Sequence, residues 1–76
     1  METILINLRP GEWGKVVAIG GGHGIRQKLS LRDIQEGSKI RMISSYPGPV
    51  IIEVNRNMVA LGRGMAGNIM VQKLRR

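Results

Sequence analysis

The 76-residue chain contains no cysteine, no phenylalanine and a single histidine. Without cysteine, neither a disulfide framework nor a thiolate zinc site can hold the fold together. A chain of this length buries only a modest core, so its stability must come from aliphatic packing or from a partner. Valine, isoleucine, leucine and methionine are therefore expected in the core, because Trp13 and Tyr46 are the only large aromatic residues.

Long apolar runs are also missing. A membrane-spanning helix needs roughly 20 apolar residues, and no segment of the chain approaches that length. The first residues, Met1 to Asn7, lack the basic region and the long apolar region of a secretory signal peptide. The absence of cysteine fits a reducing compartment, so the sequence predicts a soluble cytoplasmic protein.

Acidic residues are scarce relative to basic ones. Twelve lysines and arginines face five aspartates and glutamates, which gives a net charge of +7. This imbalance points to an acidic partner, which is a nucleic acid, an anionic membrane surface or an acidic protein surface. The basic residues are scattered from Arg9 to Arg76 without a long run, so a positively charged surface that only maintains solubility stays open as the alternative.

Turn-forming residues divide the chain into short segments rich in isoleucine and valine. Five of these segments are predicted strands, at residues 15–19, 39–45, 50–54, 58–61 and 69–74. Five short strands with frequent turns predict a mainly β fold, a small antiparallel β-barrel or β-sandwich formed by a single domain over residues 1–76. Closing the barrel would also remove exposed sheet edges.

Two hairpins are predicted from turn chemistry. Pro47 and Gly48 occupy the second and third positions expected for a type II turn. Asn55 and Asn57 tolerate left-handed backbone and can close the following hairpin. The alternation of apolar residues on either side of that turn predicts four core positions, Ile52, Val54, Val59 and Leu61.

A glycine cluster follows the first predicted strand, with four glycines among residues 20–24. The spacing lacks the lysine and hydroxyl residue of a phosphate-binding loop, and Ile25 stands where a dinucleotide fingerprint needs a third glycine or alanine. Glycine mainly supplies unusual backbone angles. The cluster is therefore predicted to be a tight crossing from a strand into a helix.

One short helix is predicted, from Ile25 to about Arg32, because Ile25 and Leu29 lie four residues apart. Asp33 in the left-handed conformation would end this helix in a Schellman motif, with an apolar contact between Leu29 and Ile34. The exposed basic residues of the helix, Arg26, Lys28 and Arg32, are the predicted partner-binding residues.

No constellation of residues indicates catalysis. The five acids form no paired motif, and no serine has a recognisable base and oxyanion arrangement, so an enzyme is not expected. His23 is the one candidate ligand for a divalent metal, without an evident set of co-ligands. Nucleic-acid binding by a small barrel stays an alternative, although Trp13 and Tyr46 offer little aromatic surface for base stacking and no nucleic acid is expected.

Several local patterns occur in an order that resembles a known family. They are the Leu-Arg-Pro-Gly turn and Val-Val-Ala-Ile strand at residues 8–11 and 16–19, the glycine cluster and helix at 20–29, the segment 34–40, and the closing strands at 49–54, 58–61 and 66–71. Over nearly its whole length, the chain resembles the small ferrous iron transport protein A (FeoA) family.

The resemblance implies an SH3-like β-barrel and a non-enzymatic cytosolic role in ferrous iron uptake. The implied partner is a membrane permease that carries a GTP-binding domain, and the resemblance supplies no catalytic residues or cofactor. Similar domains in metal-dependent repressors serve regulation, so a metal-responsive regulatory domain is a further alternative.

Overall fold

The computed structural model describes residues 1–75. Within these residues, a single sheet contains six strands, which are β1 (Glu2–Ile4), β2 (Trp13–Ile19), β3 (Lys39–Ser44), β4 (Val50–Val54), β5 (Asn57–Leu61) and β6 (Ile69–Leu74). A 3-10 helix (Leu5–Asn7) follows β1, and helices α1 (His23–Ser30) and α2 (Arg63–Ala66) follow β2 and β5. The mainly β prediction is confirmed, with one strand more than the five expected.

The strands are all antiparallel and lie in the order β1-β6-β2-β3-β4-β5. The register shifts between Val16 and Ala18 on β2 and again between Met42 and Ser44 on β3. Such bulges bend a strand and increase its twist, so they curl the sheet around one core. The predicted bounds of β4 and β6 are confirmed, and β2 begins two residues before the expected start at Lys15.

The core is entirely apolar. Its buried residues are Leu5, Leu8, Val16, Ile19, Leu29, Ile34, Ile40, Met42, Val50, Ile52, Val54, Leu61, Ala66, Ile69 and Val71. The β4–β5 register pairs Ile52 with Val59 and Val50 with Leu61, so side chains of both strands point to the same face. The four predicted core positions are confirmed, with Val59 partly buried against the cluster.

The β4–β5 hairpin turns through two residues in left-handed backbone, Asn55 at φ 51° and Arg56 at φ 67°. Two positive φ angles in a two-residue loop match the twist of the flanking strands. The prediction for Asn55 is right and that for Asn57 is wrong, because Asn57 is the first residue of β5 and pairs with Val54. In the preceding loop, Gly48 has the positive φ expected, 89°, and the Tyr46–Pro47 peptide bond is cis.

The end of α1 has the predicted capping geometry. Asp33 has φ 64°, the Ile34 N–H donates to the Leu29 carbonyl at 3.0 Å, and the Asp33 N–H donates to the Ser30 carbonyl at 3.0 Å. These are the two hydrogen bonds of a Schellman motif. Leu29 and Ile34 are both fully buried. The start of α1 differs from the prediction, because the helix begins two residues earlier, at His23.

The glycine cluster forms the predicted crossing between β2 and α1. Gly21 and Gly22 have φ of 88° and 94°, and Gly22 is the residue that precedes the first turn of α1. A Cβ atom on Gly21 would lie 2.5 Å from Ile25 Cδ1 and 3.1 Å from the Asn68 side chain. Glycine is therefore required at Gly21 both for its backbone angle and for the close approach of two side chains.

Glu12 closes the turn that precedes β2. Its Oε1 accepts a hydrogen bond of 2.7 Å from the Arg9 N–H, and its Oε2 lies 3.5 Å from Lys73 Nζ. The hydrogen bond from Arg9, together with the positive charge of Lys73, lowers the pKa of Glu12 from its ordinary value of 4.5. The carboxylate thereby connects the turn to the closing strand β6.

Glu12→Gln is expected to weaken the acid dependence of folding stability. Because the pKa is lower in the folded chain, the stabilisation is fully present above the pKa of the unfolded chain and is lost as the pH falls through the folded pKa. Urea unfolding between pH 6 and pH 3 checks this, with Glu2→Gln as a control at an exposed acid of β1. An identical pH dependence for Glu12→Gln and the wild type would contradict the role of this carboxylate.

Candidate partner-binding site

Helix α1 presents its basic residues on two different sides. Successive helical residues are rotated by about 100°, so Lys28 and Arg32 share one side and Arg26 lies more than 100° away from both. The structure agrees, because Arg26 lines a groove beside Ile19 and the other two line a groove beside β5. The three predicted contact residues therefore do not form one continuous surface.

Arg26 is held by contacts within the chain. Its Nη1 donates to the Ile19 carbonyl at 3.3 Å and lies 3.3 Å from Glu36 Oε2. These contacts connect α1 to the end of β2 and to the segment that leads into β3. Arg26 borders a groove of about 290 Å³ next to His23, and part of its hydrogen-bonding capacity is used by the fold.

A second groove, here named the α1–β5 groove, has a volume of about 420 Å³. Its lining residues are Lys28, Leu31 and Arg32 from α1 and the following turn, and Ala60, Leu61, Gly62 and Met65 from β5, α2 and the link between them. Arg32 Nη1 donates to the Ala60 carbonyl at 3.3 Å, which ties the end of α1 to the edge strand of the sheet.

Within residues 1–75, the two positive charges of this groove are not paired with an acidic side chain. Ion pairs within residues 1–75 join Arg26 to Glu36, Arg41 to Glu53 and Lys73 to Glu12. Lys28 and Arg32 take part in none of these pairs, and both are exposed. The groove therefore carries two positive charges that are available to a binding partner.

Leu31 is the residue of this region that the sequence analysis did not identify. Its side chain is 84% exposed, whereas Leu29, two residues earlier, is fully buried. A signal was available in the sequence, because residues two apart on a helix point about 200° away from each other. If Leu29 faces the core, Leu31 must face outward beside Lys28.

His23 is exposed at the start of α1 and lines the first groove together with Glu36. The Glu36 carboxylate pairs with Arg26, so a metal ion at this position would compete with that ion pair. Within residues 1–75, no three residues among histidine, cysteine, aspartate and glutamate are grouped closely enough to hold a metal ion. A metal-binding role for His23 stays a prediction.

The two large aromatic residues lie outside the α1–β5 groove, and each is close to an arginine. The Arg41 guanidinium carbon is 5.9 Å from the centre of the Trp13 ring, and that of Arg63 is 5.7 Å from the centre of the Tyr46 ring. Trp13 is only half-buried, so it is not the core anchor that a small β domain commonly uses. Tyr46 is 80% exposed beside the loop that leads into β4.

Within residues 1–75, none of the helices has the length and apolar character that crossing a membrane requires. Helix α1 has eight residues and α2 has four, whereas a span requires about 20.

Comparison with known proteins shows similarity along nearly the whole chain. The chain is 41% identical over 64 residues to a protein of Methanocaldococcus jannaschii named as a candidate Fe(2+) transport protein A, and the match covers 84% of this chain and 78% of that protein. A crystal structure described as the iron uptake regulatory protein FeoA superposes with a TM-score of 0.90 at 43% identity, over 97% of this chain and 99% of the other.

A manganese-dependent transcriptional repressor also shares the fold, with a TM-score of 0.85 at 22% identity, over 96% of this chain and 42% of the repressor. The predicted SH3-like fold is confirmed by the superposition on FeoA, which covers 97% of the chain. The model of the FeoA domain matches residues 4–73, from β1 to the last strand. The chain therefore belongs to the FeoA domain family.

Proposed function

We propose that the chain is a non-enzymatic accessory protein of ferrous iron transport. The observation that carries this proposal is the match along almost the whole chain to proteins named for Fe(2+) transport and iron uptake, at 41% and 43% identity. The likeness to the manganese-dependent repressor is at 22% identity and supports a common fold alone. A transport role is thus favoured over a regulatory metal-responsive domain.

The chain acts by binding a partner, and the proposed partner is the cytosolic part of a ferrous iron permease with a GTP-binding domain. The glycine cluster supports a structural use in this chain, because Gly21 accommodates Ile25 and Asn68 at the start of α1. Any GTP chemistry then belongs to the partner. The predicted contact residues remain Arg26, Lys28 and Arg32, all of them exposed on or next to α1.

A place in the cytoplasm next to the membrane agrees with the charge of the chain. The net charge is +7, and the cytoplasmic leaflet carries anionic lipids. Attraction between them acts within a Debye length, which is about 8 Å at physiological ionic strength. The charge would therefore favour a position of the chain close to the anionic leaflet in which the permease lies.

The test is direct binding combined with transport. Purified full-length chain is expected to bind the cytosolic part of its permease, and deletion of its gene is expected to reduce ferrous iron uptake. Titration against duplex DNA and single-stranded RNA at two salt concentrations provides the comparison, because phosphate contacts weaken steeply with salt. Sub-micromolar binding to nucleic acid at physiological salt, with no binding to the permease, would contradict the proposal.

A further inference from the structure

We propose that the α1–β5 groove binds an acidic segment of the partner protein, which places one apolar side chain between Leu31 and Met65 and its carboxylates against Lys28 and Arg32. The inference rests on the proposed accessory function. It narrows the predicted contact set, since it includes Lys28 and Arg32 and leaves out Arg26. It also adds an apolar contact, to Leu31 and Met65, that was not predicted from the sequence.

The apolar part of the groove is built to receive a side chain. Leu31 is 84% exposed, so its side chain is accessible to a partner. Met65, on the other side of the groove, is partly buried and packs against the core. Gly62 lies between β5 and α2, and a Cβ atom placed there would meet nothing within 4 Å. An incoming side chain can therefore approach the backbone at Gly62 and cover Leu31 without displacing part of the fold.

The charged part of the groove favours carboxylates. Arg32 uses Nη1 to contact the Ala60 carbonyl, and this hydrogen bond holds the guanidinium beside the groove. A guanidinium has five N–H donors, so further donors of Arg32 remain for a carboxylate. Lys28 lines the same groove, and the residues that line the groove include no aspartate or glutamate. Both charges would be satisfied by a partner that carries carboxylates on either side of an apolar residue.

Other occupants fit these features less well. A second copy of the chain would bring another net charge of +7 to the contact, and like charges across an interface are unfavourable. A nucleic acid would satisfy Lys28 and Arg32, but single strands are usually bound by base stacking on aromatic rings. Apart from Lys28 and Arg32, the groove is lined by apolar side chains and by Gly62, and Trp13 and Tyr46 lie elsewhere. An acidic protein segment uses both the charges and the apolar surface.

The experiment measures the affinity of the full-length chain for the permease's cytosolic part at physiological salt by calorimetry. Lys28→Glu/Arg32→Glu is compared with Lys15→Glu/Lys39→Glu, which changes the net charge equally at two exposed lysines paired across β2 and β3. Leu31→Ser is compared with Met58→Ser, a 66% exposed methionine outside the groove lining. Thermal unfolding verifies that each variant is folded.

We expect the Lys28/Arg32 variant to raise Kd by about tenfold or more, because it places like charges opposite the partner's carboxylates. Leu31→Ser is expected to raise Kd by about fivefold through lost apolar contact. Both control variants should keep their Kd within about threefold of the wild type, because isolated exposed charges outside the contact contribute little to binding.

Three contrary outcomes are distinguishable, the last of them by titrating the groove variants with duplex DNA and single-stranded RNA. If the wild type and all variants bind with equal affinity, the groove is not the contact surface, and the proposed function stands without this inference. If the wild type does not bind the permease at all, the proposed function fails and the acidic segment of that partner fails with it. Loss of nucleic-acid binding in the groove variants, at unchanged permease affinity, would show that the occupant is a nucleic acid.

Discussion

Leu29→Ala is expected to lower the free energy of unfolding by about 2–5 kcal/mol, the range for truncating a fully buried leucine. Leu29 is the fully buried residue of α1, and Ile25 of the same helix packs partly buried against the core. A domain of this length has a total stability of roughly 4–11 kcal/mol, so the variant would lose a large fraction of it. Urea unfolding followed by circular dichroism measures the change.

Leu31→Ala provides the matched control, since it removes the same atoms from the turn that follows the same helix. Leu31 is 84% exposed, and exposed substitutions away from special contacts change stability by about 0.5 kcal/mol or less. The two substitutions should therefore have different effects. Leu29→Ala lowers the free energy of unfolding, and Leu31→Ala lowers the affinity for the partner. Equal losses of stability at both positions would show that α1 packs on a different face.

Gly21→Ala is expected to destabilise the fold by about 1–3 kcal/mol, the cost of forcing a residue with a Cβ atom into sparsely populated backbone. Gly21 has φ 88°, and the new methyl group would lie 2.5 Å from Ile25 Cδ1. The Ile25 side chain can move, but Asn68 confines the same space at 3.1 Å. Thermal unfolding of the variant measures the loss, and partner affinity should fall as α1 is displaced.

Gly24→Ala is the corresponding control within the same cluster. Gly24 lies in the first turn of α1, and a Cβ atom there meets nothing within 4 Å. Alanine is favoured over glycine in helices by about 0.8–1.0 kcal/mol in a helix interior, so this variant is expected to be neutral or more stable. A loss of stability from Gly24→Ala as large as that from Gly21→Ala would refute the distinction between the two glycines.

The features predicted correctly from the sequence are those set by neighbouring residues. The Schellman motif at Asp33 depends on one left-handed residue and on an apolar pair five positions apart, Leu29 and Ile34. The turn at Asn55 and the alternation along β4 are equally local. In each case, the backbone geometry follows from steric preferences of a few residues, so it is visible without knowledge of the rest of the fold.

Strand β1 and helix α2 are two of the short elements that the prediction missed, and both depend on distant partners. Strand β1 has three residues and exists because it pairs with β6, from Glu2 opposite Gln72 to Ile4 opposite Met70. Helix α2 has four residues, one of which is Gly64, and glycine is a poor helix former. Its buried Ala66 joins the core. Packing against the rest of the chain overrides the weak local preference in both cases.

In the candidate site, too, some features follow from neighbouring residues and others depend on distant parts of the chain. The sequence identified the basic residues of α1, and helical geometry alone separates Arg26 from Lys28 and Arg32. The sequence did not show that Glu36 would pair with Arg26 across ten residues, or that Arg32 would reach the Ala60 carbonyl on an edge strand. Those contacts determine which charges are used by the fold and which are available to a partner.

The sequence by itself determined the mainly β architecture, the turn positions, the end of α1 and the family resemblance, because apolar alternation and turn chemistry act over short distances. Only the tertiary structure decided that the end of α1 lies against the edge of the sheet at β5 and that Leu31 lines a groove together with Gly62 and Met65. The physical reason is that a groove is formed by elements about 30 residues apart in the chain, and its shape and charge depend on how they pack.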